Sequence, residues 1–544
     1  MKSASASMLL SLAGLSIAGL VHHDQRNSTY YNPIIPGFNP DPSCIFVPEW
    51  DDTFFCATST FIAFPGMPIY ASKDLTNWKL VSHVHSRPEQ APAIGNIARN
   101  GGGWYAPTLR YHEGTFYVIN VGVDAPEPSS GIFSTTNPYD PDGWSDLLLV
   151  DIPGADPDIF WDTDGTIYSV FAETISTDPF TTEIQQLKID LPSGSTSDLI
   201  SLTNGTGVQP PEGPHMYFKD GYYWLLLAEG GTGLLHQFTI SRSRSPRGPW
   251  ELDPSNPVLT AINSSGLFQA VGHGDIFHDA AGNYWAVALS IRCGPEYEHW
   301  PMNRETVLTP VSWEGDDWPI FDFVRGEMSG PLPRKNKRVP GRGPFVDEDD
   351  HYIFAPGSSL PLHFTYWRFP QAGNYEVSPP GHPYRLALTP SNANLTAFEG
   401  FDPTAGQTFI GRRQTDTLMK YRVGMEFVPL QEGEEAGVTA FLRQERNAAL
   451  GLVRLNGSNV LRFRASGPDT PATVVKTIPD WWVERGLQFE IEAFNFTHHS
   501  LAAGPKHAKH LETIALVDNS LFSYEFTGKY FRSLMKPCPQ SCKT

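Results

Sequence analysis

The sequence predicts an all-β chain, a propeller followed by a sandwich. Three observations carry this: a hairpin motif that recurs five times, strand-rich composition without long helical periodicity, and a change of hydropathy pattern near Leu360. The motif is a short apolar run, an acidic or Gly turn, then an aromatic-rich run. Its copies are Cys44-Ile-Phe-Val…Asp52-Thr-Phe-Phe-Cys, Thr108-Leu-Arg-Tyr…Gly114-Thr-Phe-Tyr-Val, Ile159-Phe-Trp…Gly165-Thr-Ile-Tyr, Met216-Tyr-Phe…Gly221-Tyr-Tyr-Trp and Ile276-Phe-His…Gly282-Asn-Tyr-Trp. Gly or Asp at the turn tolerates the backbone angles a tight hairpin needs. The copies are roughly 50 to 60 residues apart, near the range in which repeats mean propeller blades. About ten residues before each turn sit Asp41, Trp104, Asp156, Glu212 and His273. Equivalent positions in successive blades converge on a propeller's axis.

At 544 residues the chain is too long for one ordinary core, so two domains are expected. It opens with Met1-Lys2 and an apolar run from Met8 to Val21, read as a signal peptide over residues 1–20. Six Asn-X-Ser/Thr sequons, at Asn27, Asn204, Asn263, Asn394, Asn456 and Asn495, agree with a secreted, extracellular glycoprotein. The net charge of −20 repels nucleic acid and anionic lipid, so neither is an expected partner, while neutral oligosaccharides remain natural ligands. Five cysteines are an odd number for an oxidising compartment. Cys44 and Cys56 flank the first hairpin and either face each other as a disulfide or sit as small apolar strand residues. Cys538 and Cys542 are spaced to close a small loop, which leaves Cys293 buried and unpaired. No Cys/His spacing suggests zinc.

The propeller is assigned to residues 32–330, with Arg304-Glu-Thr-Val-Leu and Pro310-Val-Ser-Trp313 supplying the strand that closes the ring. The basic, Pro/Gly-rich stretch around Pro331 to Pro344 begins a linker, 331–359, in which few residues are expected to pack. From 360 to 544, segments such as Arg385-Leu-Ala-Leu, Leu418 to Phe427, Glu435 to Leu442 and Leu487 to Phe494 alternate apolar with polar residues. Alternation implies strands with one wet face, stacked as two sheets. This domain has no concentrated set of acids and is expected to support or bind rather than to catalyse.

Three acids stand at the repeat position. Asp41 lies between prolines in Phe38-Asn-Pro-Asp-Pro-Ser43, Asp156 opens a strand in Ala155-Asp-Pro-Asp158, and Glu212 stands in Pro211-Glu-Gly-Pro-His215. Flanking prolines stiffen the backbone and fix a carboxylate's direction. Each alone reads most simply as an acidic turn. Together on one axis they are what hydrolysis of a sugar acetal by inversion requires. One carboxylic acid protonates the departing oxygen, a carboxylate activates water on the opposite face, and a third tunes the first.

With these residues in hand the chain resembles glycoside hydrolase family 43, particularly its β-xylosidase and α-L-arabinofuranosidase members with a C-terminal sandwich. The matching stretches are Asn32 to Ser43, Ser59-Thr-Phe61, Phe64 to Leu75, Tyr105-Ala-Pro-Thr-Leu-Arg-Tyr111, Glu212-Gly-Pro-His-Met-Tyr217, Ala228-Glu-Gly-Gly-Thr232, Gly272-His-Gly-Asp275 and Asn303-Arg-Glu-Thr306. A weaker match continues through Phe409 to Thr415 and Glu435-Ala-Gly-Val438. The resemblance implies a five-bladed propeller followed by a concanavalin-like sandwich. It implies Asp41 as general base, Glu212 as general acid and Asp156 as the residue that orients the acid and raises its pKa, with Asp158 capping the strand entry. Arg304 matches an arginine near the bound sugar. Phe61, Trp104 and Tyr105 match aromatic walls of the pocket. His273 matches an axial histidine that in some relatives contacts a metal, often calcium; the chemistry itself requires no cofactor. Two departures stand out: Tyr105 occupies a position where relatives carry Trp, and after Phe526-Thr-Gly528 the final strand of the family is replaced by Lys529 to Thr544.

The leading expectation is an exo-acting enzyme releasing xylose, arabinofuranose or both from xylo- or arabino-oligosaccharides, with β-xylosidase favoured. The alternatives are an α-L-arabinofuranosidase or endo-arabinanase and, outside enzymes, a carbohydrate-binding lectin. The three acids discriminate the last, since a lectin has no use for them at the axis.

Overall fold

Five antiparallel sheets follow one another between Ser43 and Phe321 in the computed structural model, which describes residues 27–293, 300–393, 395 and 402–523. The signal-peptide segment, the sequon at Asn394, the Cys538/Cys542 pair and the C-terminal departure lie outside the described residues. The sheets begin at strands Ser43–Val47, Gly103–His112, Ala155–Trp161, Pro211–Lys219 and Phe268–Gly272, and each is paired in antiparallel register with the next strand in its sheet. The five recurring turns all place a residue in the left-handed region, Asp52, Gly114, Gly165, Gly221 and Gly282, as tight hairpins demand. Cys44 and Cys56 are directly opposed in the first hairpin and form a disulfide, while Cys293 is buried, outside any disulfide, with its thiol directed at the Ile291 carbonyl. Closing a loop of this length stabilises the fold by about 3 kcal/mol.

The first strands of the first four sheets lie against one another in turn, and the first sheet meets the fifth at strand Ile276–His278. The fourth meets the fifth where the Tyr217 hydroxyl donates to Asp275 at 2.6 Å. Between sheets the packing is apolar and aromatic: Phe55, Phe116 and Trp144 fill one junction, Trp224, Phe238 and Phe268 another. The ring closes differently from the sequence expectation. Strand Arg304–Ser312 is an interior strand of the fifth sheet. Closure comes from the N-terminal segment, in which Ser28–Tyr31 pairs with Glu327–Gly330 and Ile34 and Asn39 donate backbone N–H groups to Thr306 and Arg304.

The stretch expected to be a solvated linker is packed. Leu332 and Val339 are buried, Lys79 donates to the carbonyls of Val339 and Gly341, and Val346 N–H donates to the Trp78 carbonyl. Its prolines and apolar residues lie along the edge of the first sheet. An exposed edge would otherwise present unpaired backbone groups.

The sandwich comprises two four-stranded sheets, one containing Met419–Met425 and Leu487–Ala493, the other Glu435–Arg443 and Arg446–Leu455. Val438, Leu450, Leu461 and Phe463 from one sheet meet Phe489, Ile491 and Leu501 from the other in a single core. The alternating residues of these strands therefore point where the pattern said. Residues before Met419 lace the two domains together: Tyr366 and Trp367 pair with Phe64 and Ala63, and Arg413 donates to the Phe38 carbonyl. Among the described residues no helix is long and apolar enough to cross a membrane.

Candidate active site

Each of the five sheets carries, in or beside its first strand, a residue in the left-handed region: Asp41 (φ 54°), Ala106 (38°), Asp156 (55°), Gly213 (54°) and His273 (41°). In the second, third and fourth sheets the ladder also slips there, between Tyr105 and Thr108, Ala155 and Asp158, and Glu212 and His215; in the fifth it slips just before, between Gln269 and Gly272, where Ala270 is also left-handed (φ 54°). A bulge of this kind turns a side chain out of the pleat and toward a site, and strained backbone of this sort clusters where function needs it. The left-handed position coincides with the repeat at Asp41, Asp156 and His273 but falls two residues after Trp104, on Ala106, and one after Glu212, on Gly213. Only glycine fits there, because a Cβ on Gly213 would lie 2.9 Å from His273 Nε2.

The three acids are brought together, each in a different environment. Asp41 is buried and accepts two hydrogen bonds, from Ser59 Oγ at 2.5 Å and from Arg304 Nη1 at 2.9 Å. Ser59 is itself fixed by the Ala106 N–H at 2.6 Å. Asp156 accepts from the Gly213 N–H at 3.2 Å. Burial pushes Asp156 up, His273 opposing and the Asp41 charge adding. Glu212 has no donor on Oε1, which is sealed from solvent, although the side chain as a whole keeps 28% exposure. Burial first, then the charges of Asp156 and Asp41, push its pKa up to about 8 against the opposing Arg304.

Arg304 is fully buried and is flanked by aromatic rings, 5.4 Å from Phe61 and 5.8 Å from Phe38. Phe61 packs 5.2 Å from Phe38 and 4.3 Å from Tyr105. Phe61 and Tyr105 therefore stand beside Arg304 at the site, and Phe38 joins them. Trp104 does not. It is buried in the core between the first two sheets, where its indole N–H donates to His85 Nδ1 at 2.9 Å. The bulge follows Trp104, so its side chain stays with the pleat and points into the packing between sheets.

Two residues beyond each left-handed position a second layer of axial side chains follows from the period of a strand: Ser43, Thr108, Asp158, His215 and Asp275. Asp158 does not merely cap a turn. It pairs with Arg110 at 2.9 Å, which also pairs with Asp275 at 2.6 Å and contacts His215 Nδ1 at 3.0 Å. This buried polar cluster, two carboxylates around one guanidinium, lies one layer beneath the acids.

His273 stands on the axis, with Nδ1 4.0 Å from Asp41 Oδ1 and its ring against Gly213. Calcium takes about six to eight oxygen ligands. Among the described residues no set of three or more His, Cys, Asp or Glu side chains is arranged to hold a metal. No step below is routed through a metal.

Sequence reasoning missed Ser59, Phe38 and His236. The first two lie inside stretches already marked by the resemblance. His236 follows the Ala228–Thr232 stretch and carries no pattern of its own.

A family model described as glycosyl hydrolases family 43 matches residues 30–319, and a second, described as a beta xylosidase C-terminal concanavalin A-like domain, matches residues 353–531. The chain is 37% identical over 480 residues to a non-reducing end alpha-L-arabinofuranosidase of Bacteroides ovatus, covering 87% of this chain and 84% of that one. It is 31% identical over 502 residues to a xylosidase/arabinosidase of Butyrivibrio fibrisolvens, covering 85% and 87%. A solved Bacteroides ovatus structure described as xyloglucan PUL GH43B superposes with a TM-score of 0.78 at 33% identity, over 91% of this chain and 93% of that one.

Proposed function

Because this chain belongs to glycosyl hydrolase family 43, we propose that it is an exo-acting, inverting glycosidase releasing terminal xylose or arabinofuranose from hemicellulose oligosaccharides. The five sheets are read as the blades of a five-bladed propeller whose axis opens at the three acids. The observation that carries the chemistry is the contrast between Asp41 and Glu212. Asp41 accepts from two donors, Ser59 and the charged Arg304, which fix the direction of the carboxylate a general base must present. Glu212 is sealed at one oxygen and faces two carboxylates, which favours the proton a general acid must keep.

Asp41 takes a proton from water as that water attacks the anomeric carbon, and Glu212 gives its proton to the departing oxygen. Asp156 acts through its charge, which holds Glu212 protonated. Phe38, Phe61 and Tyr105 supply ring faces for one sugar, and Arg304 lies between that wall and Asp41.

Aryl β-D-xyloside and aryl α-L-arabinofuranoside assayed side by side test the substrate, with NMR to identify the first-formed anomer. Xyloside preference with the inverted anomer first is the expected result. The 37%-identical arabinofuranosidase favours a second reading, in which the arabinofuranoside is preferred. Activity on neither, or the retained anomer first, rejects the proposal.

The pH dependence follows from Glu212. A raised acid is protonated below its folded pKa, so kcat/KM on a disaccharide is expected to fall as pH rises through about 8. A basic limb below about pH 6 would contradict the assignment.

A further inference from the structure

His236 is a buried histidine that the chemistry above does not use. It precedes strand Gln237–Ser243 and has no exposed surface. Both its ring nitrogens are buried without a hydrogen-bond partner, as is Glu212 Oε1, and Nε2 stands 3.8 Å from that oxygen. The backbone opposite has given way to the ring: a Cβ on Gly272 would lie 2.2 Å from His236 Cδ2. Leaving polar atoms unsatisfied in a core carries a desolvation penalty that an apolar side chain would avoid. A fold built for stability alone would place leucine here.

The neighbourhood keeps the ring neutral. Burial, then the charges of His273 and Arg304, hold its pKa well below the usual histidine range. On the other partner act Asp156, Asp41 and Arg304. A neutral imidazole remains a donor through one nitrogen.

We propose that His236 is a positioning residue for Glu212: protonated on Nε2, it donates a hydrogen bond to Oε1 once Glu212 has released its proton. This rests on the reading of Glu212 as general acid. In that step the Glu212 O–H bond breaks as an O–H bond forms on the departing oxygen. The bond from that oxygen to the anomeric carbon breaks with its electron pair going to the oxygen, while water adds at carbon and yields its proton to Asp41. The charge left on Glu212 spreads to Oε1, which has no other donor among the described residues. His236 keeps its own proton throughout; the 3.8 Å separation shortens to hydrogen-bond length. An interaction stronger after proton transfer than before it accelerates the chemical step.

The test compares His236→Leu and His236→Gln in the full chain, on an unactivated disaccharide and on an aryl glycoside of the preferred sugar. Leucine removes the donor at similar volume; glutamine restores an N–H with comparable reach. His236→Leu is expected to lower kcat on the disaccharide about 10- to 100-fold with little change in KM, and to affect the aryl glycoside far less. The basic limb should move to higher pH, because a donor favouring the carboxylate is lost, and the unfolding midpoint should hold or rise. Glutamine should recover most of the rate. Equal losses on both substrates, or a lower melting point with an unmoved basic limb, assign His236 to packing and overturn the proposal. If the leucine protein does not fold, His236→Gln against the shorter His236→Asn gives the same contrast by reach, and equal rates from those two overturn it. A wrong reading of Glu212 is seen separately, as a Glu212→Gln protein whose losses do not depend on the leaving group.

Discussion

Asp41→Asn should lower turnover by about three to four orders of magnitude on every substrate, the aryl glycosides included. The reason lies in which half of the reaction it removes. A good leaving group replaces the acid, since it departs without a proton, but nothing in the leaving group activates water. The substitution should be structurally mild. Asn is nearly isosteric, its carbonyl still accepts from Arg304, and Ser59 Oγ is placed to meet its amide. Circular dichroism and the unfolding midpoint should therefore stay near those of the parent. The residual activity carries a second signature. Asp41 is one of two carboxylates that hold Glu212 up, so the basic limb of whatever turnover remains should shift to lower pH. Activity above about one per cent on either substrate class would remove Asp41 from the role of base.

Much of the site was legible because its logic is periodic. Five hairpins with Gly or Asp turns, and three acids before them, are patterns along the chain, and the structure brings those acids together. Trp104 and Glu212 show where periodicity stops helping. At both a bulge moves the left-handed position off the repeat, by two residues to Ala106 and by one to Gly213, and no alternation of apolar and polar residues marks which residue takes it. A shift of one residue turns a side chain to the other face, which is why Trp104 is core while Tyr105 meets Phe61. Asp158 was underread for the opposite reason. Its partner Arg110 lies on another strand, and nothing local distinguishes an acid that caps a turn from one that neutralises a buried guanidinium. The packed stretch after Pro331 was misjudged on composition, since prolines that suit a free linker equally suit a chain laid along a sheet edge. His236 was invisible because its significance is an absence, two ring nitrogens without partners beside one carboxyl oxygen, and absences of this kind exist only in three dimensions.

Glu212→Gln is expected to separate substrates that Asp41→Asn treats alike. Glutamine matches the shape and neutrality of the protonated acid, so binding, the contact with His236 and the fold should persist. What it lacks is the proton. Unactivated disaccharides should lose about two to four orders of magnitude in kcat, because the departing oxygen must leave as an alkoxide. An aryl glycoside whose leaving group is stable as an anion should lose far less. A series of leaving groups turns this into a slope, in which log kcat should depend steeply on leaving-group pKa for the variant and weakly for the parent. The basic limb near pH 8 should vanish as well, since the group responsible for it no longer titrates. These two signatures are independent, one reading the bond that breaks and the other the proton that moves. A variant that lost activity equally on all leaving groups, with the limb still in place, would show that Glu212 shapes the pocket and that another group donates the proton. Asp156 would then be the residue to examine, because burial also pushes its carboxyl up and it accepts the N–H of Gly213, the residue after Glu212.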